Sequence, residues 1–270
     1  MRTIHFAAAI TLALLAASPE FLAAVPSRAA ETTYKITDFG VLDGAGQSRA
    51  NAISSGSVVV GEVLTDDPQY YRAVLRRSGK LTELVAAENE DAYAADVNKG
   101  RRVAGSLREN LDSGGYGPYR AVVWSGSKVT ELAMLSGGAA RATALNDAND
   151  VAGYATVEID GDVTIHACLW SGDEVTDLGT LGEGTISFGN DINNDGRIVG
   201  QSTTEPGGDE VLRTAHAVLW DDGEIVDLGT LGGAGSSAEA INDDGWIVGS
   251  SDTSDPDGYN ITHAFLWNDG

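Results

Sequence analysis

A repeat with a period near 47 residues limits what this chain can fold into more than any other feature. An apolar position ahead of a polar turn falls at Ile53, Val97, Leu145, Ile192 and Ile241, with spacings of 44, 48, 47 and 49. A second position, where an apolar run ends, falls at Arg76, Trp124, Trp170, Trp220 and Trp267, with spacings of 48, 46, 50 and 47. Self-similarity at such a period means repeated supersecondary units. Units of this size cannot bury their apolar faces alone and must stack.

Each unit reads as four short strands. The first carries an A-x-A-I-N pattern, as in Ala238–Asn242, and the second is a β-branched run ending in glycine, as in Ile247–Gly249. The third is an H-A-x-L-W run, as in His216–Trp220, and the fourth carries an acid followed by an apolar residue, as in Asp227-Leu228. Short runs rich in Val, Ile and Trp, punctuated by Gly and Asn-Asp, are strand and hairpin signals. Asn149 stands where neighbouring units have glycine, which fits a turn with left-handed backbone. No stretch shows sustained helical periodicity, although the alanine-rich Glu88–Val97 would also suit a short helix.

The chain begins and ends in the same phase of the repeat. Tyr34–Gly40 resembles a fourth strand with no unit before it, and Trp267–Gly270 follows a third strand. The expectation is an all-β fold, a β-propeller of five four-stranded blades. The N-terminal strand would pair in the last blade and close the ring, which removes exposed sheet edges. A fragment of a longer array is the competing arrangement.

The first thirty residues read as a signal peptide, because Arg2 precedes a 12-residue apolar stretch, Phe6–Ala17, too short to span a bilayer. That leaves 31–270 as one domain of five repeats, expected to be a monomer outside the cytoplasm, secreted or periplasmic if the host retains it. Later runs offer no membrane span. The single cysteine, Cys168, takes an apolar strand slot and forms no internal disulfide. Charge is lopsided: residues 31–141 hold 13 Lys+Arg and 14 Asp+Glu, a net of −1, whereas residues 142–270 hold 2 Lys+Arg and 25 Asp+Glu, a net of −23. Such a field repels phosphate backbones, so nucleic acid is not an expected partner.

Three histidines, His166, His216 and His263, share one repeat slot with Arg72 and Arg120, and an acid follows eleven positions later at Asp177, Asp227, Glu131 and Glu83. For His263, ring closure would supply Asp38. These define base–acid pairs lying diagonally across neighbouring strands. Their role is structural, because they recur in every unit and Arg cannot act as a general base. Trp124, Trp170, Trp220 and Trp267 suit packing between blades, and Trp246 suits an exposed aromatic. Asp252, Asp255 and Asp257 precede a glycine and offer alternating acidic oxygens of the kind Ca²⁺ takes, the one cofactor expectation. No catalytic set emerges.

The units resemble the HAF repeat of probable extracellular proteins. His263–Trp267 has the motif literally, and Asp177–Gly182, Asp227–Gly233 and Ile241–Gly245 are similar to its other hallmark runs. Units one and two depart from it at Arg72, Arg120 and Arg76. The resemblance implies export and no assigned activity. The expected function is a non-enzymatic binding or adhesion module for a glycan or a cell-surface protein. The alternative is a five-bladed carbohydrate-active hydrolase or lyase using carboxylates near the ring axis, which would need acids in one or two blades only.

Overall fold

Every repeat folds as an up-and-down antiparallel sheet, with a short turn after its first strand and, in units one to four, a two-residue turn after its third. The structure, a computed structural model, describes residues 35–66, 69–206, 213–254 and 261–268. The expected signal peptide, Tyr34, Asp255 and Asp257 lie outside them. Sheet I contains β1 (Ala45–Ile53), β2 (Val59–Thr65), β3 (Tyr71–Arg77) and β4 (Lys80–Glu83). Sheet II contains β5 (Glu90–Val97), β6 (Arg102–Asn110), β7 (Tyr116–Ser125) and β8 (Lys128–Glu131). Sheet III contains β9 (Ala140–Leu145), β10 (Val151–Ile159), β11 (Asp162–Ser171) and β12 (Glu174–Asp177). Sheet IV contains β13 (Ser187–Ile192), β14 (Ile198–Ser202), β15 (His216–Asp221) and β16 (Glu224–Gly229). Sheet V has three strands, β17 (Gly232–Ile241), β18 (Ile247–Thr253) and β19 (Thr262–Trp267). The alanine-rich run that would have suited a helix is a turn followed by β5.

Successive sheets pack face to face. Four apolar clusters hold them, each joining one sheet to the next: I with II around Val60, Val97 and Trp124, II with III around Ala104, Leu145 and Trp170, III with IV around Ala152, Ile192 and Trp220, and IV with V around Val199 and Ile241. The first strands β1, β5, β9, β13 and β17 lie each against the next. Each carries a bulge at the same slot, at Asn51, Ala95, Thr143, Asn190 and Glu239. The bulge explains the glycine that ends every second run. A Cβ on Gly153 would stand 2.1 Å from the Arg141 carbonyl oxygen, and one on Gly105 2.0 Å from that of Tyr93. Only glycine lets the bulged strand come so close.

Asparagines join the turns. The Asn98, Asn146 and Asn193 side-chain amides each donate to the backbone carbonyl of the equivalent residue in the next sheet, Asn146, Asn193 and Asn242, at 3.0, 3.3 and 3.2 Å. Their Oδ1 atoms accept from Arg102, Asp150 and Arg197 N–H, closing their own turns. The fourth turn residue has positive φ in all five units: Ser57, Arg101, Asn149, Gly196 and Gly245. The glycines of units one and two, Gly56 and Gly100, sit one place too early to serve it.

The expected joining of the N-terminal strand to the last sheet is not formed among the described residues. Lys35–Leu42 has no strand, and sheet V ends at β19. Gly40, at a φ of 88°, breaks the extended run that the repeat phase suggests. The chain divides into two units, Met1–Asp38 and Phe39–Gly270, and all five sheets lie in the second. Sheet V shows the consequence of an unfilled neighbour. Val248 is 45% exposed, whereas Val60, Ala104, Ala152 and Val199 in its slot are 0% exposed. Ile53, on the facing side of sheet I, is 67% exposed, whereas Val97, Leu145, Ile192 and Ile241 are buried.

Two outcomes follow from this packing. Gly153→Ala should lower the unfolding free energy by about 1–3 kcal/mol in a denaturant titration, since the added methyl meets main chain. Val199→Asp should destabilise by about 3 kcal/mol or more, while Val248→Asp should stay within about 1 kcal/mol of the parent. Equal losses at the two positions would mean that Val248 is covered in solution.

Candidate functional site

The first strands of the sheets present two recesses. One lies where they end, a cavity of about 210 Å³ bounded by Ile53, Val97, Leu145, Ile192, Ile241 and the turn residues after them, so all five units contribute. Its rim is a chain of turn contacts. Lys99 N–H donates to Asp147 Oδ1 at 3.0 Å, Asp147 N–H to Asn194 Oδ1 at 2.9 Å, and Asn194 N–H to Asp243 Oδ1 at 3.0 Å. Hydrogen bonds from Lys99 hold the Asp147 carboxyl below the usual range, and Asn194 does the same for Asp243. The rim's polar groups are engaged with one another.

Three to four residues earlier on the same strands lies a larger recess of about 630 Å³, lined by Arg49, Asn51 and Glu62 of sheet I, Tyr71 of β3, Tyr93 of β5, Tyr119 of β7 and Arg141 of β9. Its wall is a row of tilted tyrosines, Tyr71 to Tyr93 at 5.1 Å and Tyr93 to Tyr119 at 6.1 Å between ring centroids. The Arg141 guanidinium stands 4.3 Å from the Tyr119 centroid and 5.8 Å from that of Tyr93. Behind the wall, Arg108 lies 3.7 Å from the Tyr116 centroid and 4.8 Å from the Tyr119 centroid, with a 3.0 Å ion pair to buried Asp91. Burial pushes the Tyr93 phenol above its ordinary range, with the Asp91 charge adding to it, so it stays protonated. Glu62 accepts a hydrogen bond from Asn51, whose amide also donates to the Ala94 carbonyl at 2.8 Å. Burial raises the Glu62 carboxyl, and Asn51, Arg49 and Arg141 offset only part of it.

The base–acid slots come together in four units. Arg72 Nε lies 3.7 Å from Glu83, and Arg120 bonds Glu131 and also Glu90. His166 Nδ1 and His216 Nδ1 each lie 2.9 Å from Asp177 and Asp227. In each case the acid faces a residue two places beyond the base, Val74, Val122, Cys168 and Val218, which is the diagonal geometry. The fifth slot differs. Among the described residues β19 is the last strand of its sheet, and no fourth strand carries an acid opposite it. Burial tends to raise the Asp177 carboxyl, but hydrogen bonds from His166 and Gly179 N–H outweigh it and leave the group below its usual range.

Trp124, Trp170 and Trp220 are buried, and their indole N–H groups donate to the Val85, Ala133 and Leu178 carbonyls of the preceding unit. Trp267 packs partly buried on the IV–V cluster, and Trp246 is exposed. Cys168 is fully buried, and burial pushes its thiol far above the usual value. Of the acidic triad, Asp252 is described and accepts from Thr262 Oγ1 at 2.8 Å. Among the described residues no group of three His, Cys, Asp or Glu side chains could hold a metal ion.

Among the acids that break the repeat, Asp96 and Asp191 stand in slots held elsewhere by Ala52, Ala144 and Ala240. Each spans two sheets. Asp96 accepts from Val97 and Leu145 N–H, and Asp191 accepts from Ile192 and Ile241 N–H. Burial raises both carboxyls, partly opposed by those hydrogen bonds, and the Asp96 charge raises Asp191 further. Both oxygens of each carboxylate are occupied by main chain.

The recess itself was not legible as a site. Seven of the eight tyrosines precede residue 155, and the weakly charged half of the chain carries most of the arginines. That coincidence was the available signal, hidden because the best-formed repeats lie in the other half.

No family model and no curated protein matches the chain. Among solved structures it is similar to the β-propeller domain of the Trilobed protease from Pyrococcus furiosus, described as having an open velcro topology. The two share 16% identity over 67% of this chain and 51% of that chain, with a TM-score of 0.42. The chain thus spans about half the length of that structure. No helix among the described residues is long and apolar enough to cross a membrane.

Asp177 gives a pH test. Its carboxyl is held below the unfolded value, so its contribution is present above about pH 4 and is lost as pH falls through the folded value. Asp177→Asn should therefore show a lower Tm than the parent at neutral pH, and the gap should narrow below about pH 4. A gap independent of pH would mean that charge on Asp177 does not matter.

Proposed function

We propose that this chain is an exported binding module, built as a β-propeller of five blades, that recognises a glycan or a cell-surface protein without catalysing a reaction. The observation that carries the reading is the tyrosine–arginine recess. Stacked aromatic rings beside a guanidinium offer apolar faces and charged donors at one concave place, as recognition sites do. The resemblance to HAF repeats and the expected signal peptide support export. The base–acid pairs serve as structural ties between strands in this reading, and Ca²⁺ at Asp252, Asp255 and Asp257 stays an untried accessory. The expected monomer is retained.

The hydrolase or lyase reading requires an acid pair confined to one or two blades. Glu62 is confined to one blade but is the lone acid lining its recess, and Asp96 and Asp191 meet the count but each has its two oxygens on main-chain N–H groups, one of its own strand and one of the next sheet. A carboxylate so engaged is a strut and lacks a free oxygen for proton transfer. The blade count and ring closure belong to the same proposal. A fully closed ring needs Val248 and Ile53 covered, which the Val248→Asp comparison reads out directly.

The reading is tested on a glycan array and on intact cells with the purified mature chain. Binding to a defined set of glycans or to a protease-sensitive surface component, lost in Tyr71→Ala with Tyr119→Ala, is the expected result. Binding that survives the double substitution would place recognition elsewhere, and hydrolysis of an array glycan would restore the enzyme alternative.

A further inference from the structure

We propose that the recess takes a small saccharide bearing a single carboxylate, a uronic-acid type of residue, with its carboxylate on Arg141 and its ring on the tyrosines. The inference rests on the binding-module reading and names its ligand class.

Arg141 is the reason. Arg72, Arg108, Arg120 and Arg197 each have a carboxylate within 4 Å. Among the described residues Arg141, like Arg49 on the same lining, has none within that distance, although both act on the Glu62 charge, and Arg141 stands against the Tyr119 and Tyr93 rings. Stacking of this kind restrains the guanidinium plane, and a guanidinium with no carboxylate on its fork can bind one through two parallel hydrogen bonds. Arg49 adds a second positive group on the lining. Tyr71, at 38% exposure, and Tyr93 offer ring faces to the C–H faces of a sugar. Asn51 and Glu62 lie in the lining beside them, and Glu62 can accept a hydroxyl hydrogen bond.

The same residues exclude other anions. Glu62 places a carboxyl group among the two arginines, so a dianion such as inorganic phosphate meets repulsion that a single carboxylate can avoid. The formal net charge of −23 disfavours long polyanions, which would have to run over acidic surface. A short ligand with one charge and a sugar ring satisfies both limits.

The test is calorimetric and NMR titration of the purified mature chain with glucuronic acid, glucose, acetate and inorganic phosphate. Glucuronic acid should bind at least about tenfold more tightly than the other three, and added salt should weaken it. Arg141→Ala should lower its affinity about 10–100-fold, the range for a lost charged hydrogen bond, with Arg141→Lys in between. Thermal melting verifies folding, and Arg141→Lys serves if the alanine variant does not fold. Equal binding of acetate or phosphate would reduce the site to a generic anion site and overturn the proposal. So would glucuronic acid binding untouched by either Arg141 variant. Array binding to neutral glycans, insensitive to Arg141, would overturn this inference while leaving the module intact. No binding to any saccharide or surface would remove both.

Discussion

The inner strand of each sheet is an edge strand, and its outward main-chain groups need partners in the neighbouring sheet. That requirement governs the molecule. Unpaired N–H and C=O groups at a covered edge are costly, so each must be met by another group. Here side chains supply the bonds. Asn51, Thr143 and Asn190, all at the bulge, donate to the Ala94, Gly189 and Ala238 carbonyls of the next sheet at 2.8 Å. Asp96 and Asp191 accept from the next sheet's N–H groups, and the turn asparagines repeat the device at the strand ends. Because the bulge aims these side chains sideways, sheets that share no ladder are still joined by directed bonds as well as by apolar contact.

This requirement also explains why the two outer faces of the array matter. Val248 and Ile53 have the residue types of buried contact positions, yet they are exposed where four equivalent pairs are covered. Among the described residues the apolar contact that joins sheets I to V in series is not repeated at Val248 and Ile53. Apolar surface of this kind is stable only when it is small or covered.

Repetition and function pull in different directions along this chain. Units three and four carry the His–Asp pairs together with indole contacts, and those groups are bonded to one another. The recess with open chemistry sits in units one to three, where Tyr71 and Tyr119 share a slot that holds Ile165, Ala215 and Thr262 in the later units, and Tyr93 and Arg141 share one that holds Phe188 and Ser237. A repeat makes copies of a structural solution, so a site that must differ from its neighbours arises where the copies diverge.

The sequence by itself determined the period, the four strands of units one to four and the three of unit five, and the diagonal base–acid geometry of units one to four, because strand pairing between neighbours in the chain is set by local alternation and turn chemistry. It also determined the glycine within each second strand, though not its reason, which is the close approach of a bulged partner. Only the tertiary structure decided three things. It showed that Lys35–Leu42 adds no strand to the last sheet, since pairing across the whole chain depends on contacts no local pattern encodes. It showed that Asp96 and Asp191 are tied down by the next sheet's main chain. And it gathered arginine and tyrosine from three separate units into one recess, because residues about 20 to 50 positions apart become neighbours only when the sheets are stacked.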